Sequence, residues 1–174
     1  MPAYEERDSP GMSAVDLVRE HALGKARSLV ARAGDRPVLG VDTAVVLGGR
    51  IYGKPESEAA ATEMLARLGG ETHEVVSGLC LLSRAWEVVE HESTRVSFRA
   101  LNPPDIAAYL ALAEWEGRAG GYAIQGAGAA LVERVDGDYL NVVGLPAALL
   151  VRLLAERFPG VYGFGPAEKS LQIT

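Results

Sequence analysis

The chain is poor in sulfur and imidazole. Its single cysteine, Cys80, excludes an internal disulfide and a thiolate zinc cluster, and it lies in the apolar run Val75–Leu82, where packing accounts for it. Only three histidines occur, His21, His73 and His91, at no ligand spacing, which speaks against zinc. No run approaches the roughly 18 apolar residues of a membrane span, and no charged-then-apolar leader opens the sequence. The expectation is a soluble, cytoplasmic protein with no membrane partner. Positive charge is also scarce: 17 Lys and Arg stand against 23 Asp and Glu, a formal net charge of -6. A nucleic-acid polymer, which calls for a basic face, is therefore a poor partner. A small triphosphate is not, because a few local cations and a divalent metal can hold one.

What is plentiful is glycine, 20 residues, and apolar content, 48% of 174 residues, enough for one core rich in tight turns. Ser13 reads as the N-cap of a helix over Ala14–Ala33, with Val15, Val18, Ala22, Ala26, Leu29 and Ala33 at steps of three and four. Val38–Leu47 reads as a buried strand, turned back at Gly48-Gly49. Ser57 caps a short helix to Leu68. Glu71–Ser83 and Glu87–Ala100 read as a two-stranded ribbon, the second alternating Thr94, Val96 and Phe98 with Arg95, Ser97 and Arg99. Asn102-Pro103 opens a helix with Ile106, Tyr109 and Leu110 on its apolar face. Ala129–Val135 and Tyr139–Val143 are expected as a last pair of strands, and Pro146 opens a closing helix to about Phe158. The fold class is α/β: a mixed, mostly antiparallel twisted sheet with flanking helices and a cleft between two lobes. Residues 1–160 are read as one domain and 161–174 as a tail.

One stretch carries chemistry. In VLGVDTAVVLGGRIYGKP, Val38–Pro55, a single carboxylate, Asp42, interrupts an apolar strand. An ionised carboxylate is costly there unless a cation or metal neutralises it. The Gly-Gly turn brings Lys54, held between Gly53 and Pro55, back toward that strand. Spacing alone leaves two readings open: a structural ion pair, or an acid and a base placed together for work on a phosphate.

Further segments sharpen this. AGGYAIQGAG (Ala119–Gly128), DGDYLNVVGLP (Asp136–Pro146), the V-D-T and G-K-P motifs, Thr72-His73 and Lys25-Ala26 occur in an order that resembles the Maf family of nucleoside triphosphate pyrophosphatases, whose fold is similar to that of the inosine triphosphatases. The resemblance runs from about Pro2 to about Phe158. It implies hydrolysis of a nucleoside triphosphate to monophosphate and pyrophosphate, a divalent metal (magnesium or manganese) as cofactor, and a homodimer. It implies Asp42 as proton acceptor, Lys54 on the phosphates, and Glu6, nineteen residues before Lys25, as a metal ligand together with Asp42, with the adjacent Glu5 as the alternative. Lys25 would face the cleft, Thr43 would lie near the base unless it merely packs, and Arg118 would take phosphate. Gln125 in I-Q-G resembles the branch preferring dTTP and UTP, and its amide offers the donor and acceptor that the uracil or thymine edge requires.

The sequence departs from the family twice. The D-K-A-G loop reads Gly117-Arg118-Ala119-Gly120, leaving Glu116 as a substitute acid. The hydrophobic strand and S-x-S-P-R-R turn that open the family would precede Pro2, and nothing in Met1–Met12 replaces them. The expectation is an upstream start or a shortened, less stable and less active form. That gap favours a rival reading, a non-catalytic nucleotide-binding or septum-regulating protein.

Overall fold

Tyr4 and residues 11–159 are described by the computed structural model. Helix α1 (Ala14–Ala33) starts where the Ser13 hydroxyl accepts from the Asp16 N–H. Strands β1 (Val38–Leu47) and β2 (Arg50–Tyr52) follow, joined at Gly48 and Gly49, whose φ of 58° and 79° match the I′ turn that only glycine-like residues enter easily. Helix α2 (Glu58–Leu68) leads to β3 (Thr72–Leu82) and β4 (Glu87–Phe98). Helix α3 (Pro103–Leu110) opens on a reciprocal capping box between Asn102 and Asp105. Then come β5 (Val132–Asp136), α4 (Tyr139–Val143) and α5 (Ala147–Arg157).

The sheet order is β2-β1-β3-β4-β5, and every described pairing is antiparallel. Strand β3 is buried from Val75 to Leu82 because both faces are covered. Its even-numbered residues Val76 and Cys80 pack with Val18, Ala22 and Ala26 of α1. On the opposite face, Leu79 and Leu81 pack with Leu149 and Leu153 of α5, while Val75 joins Val45, Val96, Phe98, Tyr109 and Tyr122 in the largest apolar cluster. That alternation divides β1 as well. Asp42 faces α1, and Thr43 faces α4. Among the described residues no helix is long and apolar enough to cross a membrane.

One expected element is different. Tyr139–Val143 is a helical turn, not a strand, and β5 begins at Val132 after a 3₁₀ turn over Ala127–Leu131. The cause is tertiary. Thr94 Oγ1 accepts from the Asp138 N–H and donates to its carbonyl, so Asp138 cannot continue a ladder. Its carboxylate caps Leu140, Asn141 Nδ2 donates to the Val75 carbonyl, and Gly144 ends the turn at φ 117°.

His73 on β3 is 1% exposed, with Nε2 2.9 Å from the Tyr122 hydroxyl. Burial pushes its pKa down from 6.5 to about 4. The native state therefore keeps this ring neutral where the unfolded chain protonates it. Its contribution to stability is full above pH 6.5 and is lost as pH falls toward 4. Between pH 7.5 and 5.0 the loss is about 2 kcal/mol. In urea titrations, His73→Gln is expected to shrink the fall in unfolding free energy over that interval by this amount. An equal fall in both proteins would contradict the assignment.

Candidate active site

Helix α1 approaches the sheet more closely than side-chain packing permits. A Cβ at Gly40 would land on the Ala22 carbonyl oxygen, and one at Gly78 on that of Val18. Gly78 is the ladder partner of Asp42. Backbone contact at these two glycines brings His21 and Lys25, one helical turn apart, down to the strand. Lys25 Nζ donates to Asp42 Oδ1 at 2.5 Å and to the Val41 carbonyl at 3.3 Å. His21 Nδ1 lies 3.2 Å from Asp42 Oδ2. Both carboxylate oxygens are thus engaged, each retaining lone-pair capacity for a water or a cation. The Asp42 side chain is 13% exposed.

The carboxylate opens into a cavity of about 210 Å³ lined by Lys25, Asp42, Thr43, Lys54, Arg118 and Gln125. A second hollow of about 280 Å³ carries His21 and shares Asp42, Thr43, Lys54 and Ala119 with the first. Joined, they fall within the roughly 300–1,000 Å³ of small-molecule sites. Because β2 pairs only Val45–Leu47, no described strand covers the outer edge of β1 at Val41–Thr43, and groups from both faces reach the space.

The far side of the cavity comes from the segment after α3. The Gly120 N–H donates to the Gly53 carbonyl at 3.0 Å, which sets the Arg118–Ala119 stretch beside Lys54. Val45, Val75, Ile124, Val142 and Val143 add apolar surface to the same cavity, and Gln125, which also lines it, is exposed. Three cations and one described carboxylate line this cavity in a protein whose net charge is -6. That local excess suits an anionic ligand.

All six described candidates, Asp42, Thr43, Lys54, Lys25, Arg118 and Gln125, line one cavity. Their partners differ from expectation in detail. The ammonium bonded to Asp42 is that of Lys25, while Lys54 lines the same space. Thr43 Oγ1 is bonded to Ser77 Oγ at 2.8 Å, so its hydroxyl is at least partly structural. Glu116 is exposed and does not line the cavity; the carboxylate engaged in that region is Glu114. Glu6 and the tail from 161 lie outside the described residues. His21 was not singled out by its sequence context, although its i, i+4 spacing to Lys25 was the available signal.

Among the described residues no three His, Cys, Asp or Glu side chains group so as to hold a metal ion. Asp42 alone fits a magnesium-like ion, which commonly takes one or two carboxylates and completes its shell from phosphate oxygens and water.

The family model described as Maf-like protein matches residues 1–157. A protein of Gloeobacter violaceus named dTTP/UTP pyrophosphatase is 52% identical over 155 residues, covering 88% of this chain and 81% of the relative. One of the same name from Deinococcus radiodurans is 43% identical over 161 residues, covering 92% and 82%. Another, from Pyrococcus furiosus, is 44% identical over 133 residues, covering 76% and 70%.

Proposed function

The chain belongs to the Maf family, and on that premise we propose that it hydrolyses dTTP and UTP to the nucleoside monophosphate and pyrophosphate. The observation that carries this reading is one cavity lined together by Asp42, the three cations Lys25, Lys54 and Arg118, several apolar side chains and the exposed amide of Gln125. The site has a charged end for phosphates and a rim amide for the base.

Asp42 accepts the proton of a water that attacks the α-phosphorus. The new P–O bond forms as the bond to the bridging α–β oxygen breaks, and pyrophosphate leaves with that oxygen. Lys25, already bonded to Asp42, keeps the carboxylate oriented, and Lys54 and Arg118 neutralise the polyphosphate. A magnesium or manganese ion held by Asp42 would add charge neutralisation and lower the pKa of bound water. Gln125 reads the pyrimidine edge from the rim, because a site that hydrogen-bonds a ligand edge rejects partners that leave it unpaired.

Purified protein is to be incubated with dTTP, UTP or GTP and magnesium, and the products separated. The expected products from dTTP are dTMP and pyrophosphate; dTDP and phosphate would place the cut at the wrong bond. Gln125→Ala is expected to flatten the dTTP-to-GTP ratio of kcat/KM about tenfold or more. An unchanged ratio would remove Gln125 from base selection.

A further inference from the structure

The Gln125 amide makes no hydrogen bond to any described residue, so what the fold fixes is the backbone position and the direction from which this side chain leaves the loop. That backbone is gripped from two sides by side chains. Before Gln125, the Ala123 N–H donates to the Tyr109 hydroxyl at 3.0 Å. After it, Glu114 Oε1 accepts from the Ala127 N–H at 3.1 Å and Oε2 from the Gly128 N–H at 3.4 Å.

Two features indicate that the Glu114 contact is built. Ala113, the residue before it, has φ 56° and is the one non-glycine residue with positive φ among the described residues. A side chain is disfavoured in that region, and such strain persists where the surroundings over-determine it. Here it coincides with the turn from which Glu114 reaches the loop. Gly126, between Gln125 and the bonded amides, leaves room for the carboxylate, which a Cβ at that position would strike.

We infer that Glu114 is a positioning residue for base selection. By holding the amides of Ala127 and Gly128, it fixes the loop that aims Gln125, and it takes no part in the chemistry at Asp42. This rests on the reading of Gln125 as the base-contacting residue. Loss of the carboxylate should loosen the loop and relax discrimination while leaving phosphate chemistry in place.

The test compares wild type, Glu114→Ala and Glu114→Gln, the last keeping the shape and one acceptor oxygen. With dTTP and GTP as substrates and magnesium present, Glu114→Ala is expected to lower the dTTP-to-GTP ratio of kcat/KM about tenfold. The change should lie in KM for dTTP, with kcat within about threefold of wild type. Glu114→Gln should fall between the two, and it carries the test if the alanine variant does not fold. Amide exchange measured by NMR on the full chain should show Ala127 and Gly128 losing protection in the variants. An equal loss of kcat/KM for both nucleotides means a merely structural role and overturns the inference. A wild type without preference for dTTP overturns the Gln125 reading and this inference with it. A selective wild type whose ratio survives both substitutions, with both amides still protected, overturns this inference alone.

Discussion

Asp42→Asn is expected to lower dTTP turnover by about 10²- to 10⁴-fold, the usual cost of losing a general base. The substitution keeps the size and one oxygen that can accept from Lys25, so the strand and helix need not part. What it removes is the negative charge that faces Lys25 at 2.5 Å and the basicity available to a water. The Lys25 side chain is 21% exposed and that of Asp42 13%, which places the pair between a surface and a buried one; with the hydrogen bond kept, the stability cost should be about 1–2 kcal/mol. Turnover and stability therefore separate. Pyrophosphate release should collapse while the melting temperature shifts only a few degrees and a non-hydrolysable dTTP analogue still binds. Retention of more than a tenth of wild-type turnover would exclude Asp42 from the mechanism. Loss of turnover together with global unfolding would assign it a structural role instead.

How much of this could be read from the residues depends on where each determinant lies along the chain. Helices capped by Ser13, Ser57 and Asn102 were legible because a cap and the amide it bonds are three residues apart. The β1–β2 turn was legible because its two central positions need positive φ, which Gly48-Gly49 supply without strain. The segment Tyr139–Val143 was not. Its valines favour a strand, and the bonds that bend it into a helix come from Thr94 and Val75, more than forty residues earlier. The same distinction applies to the site. A carboxylate in an apolar strand is conspicuous by composition, and so is a lysine between glycine and proline. His21 is not, because its i, i+4 spacing to Lys25 shows only that the two share a helix face and does not name a partner on a strand 21 residues away. Glu114 was passed over for Glu116 because sequence offers no way to tell which of two nearby acids the strained turn at Ala113 directs toward the loop.

The glycines under α1 are the least legible part and yield the second large prediction. Gly40 reads as one more small residue in an apolar strand, and Gly78 as a weak point in a buried one. In the folded protein they are two places where the backbone of α1 rests on sheet backbone. Gly78→Ala puts a methyl group on the Val18 carbonyl, where no flexible side-chain end is available to give way. The helix must lift or the strand must bend. Overpacking of this kind costs about 1–3 kcal/mol, so the melting temperature should fall by roughly 2–12 °C in a chain of this size. Activity should fall further than stability requires. Lifting α1 draws His21 and Lys25 away from Asp42, and a shift of about 1 Å at a catalytic group can cost on the order of 10²-fold in rate. The measurement is kcat with dTTP well below the variant's melting temperature, where the enzyme is fully folded. A folded Gly78→Ala enzyme with wild-type kcat would mean that the closeness of α1 serves packing alone. A melting temperature that does not move would mean that the helix has room to spare, and that the depth of Lys25 over Asp42 is set by something other than these two glycines.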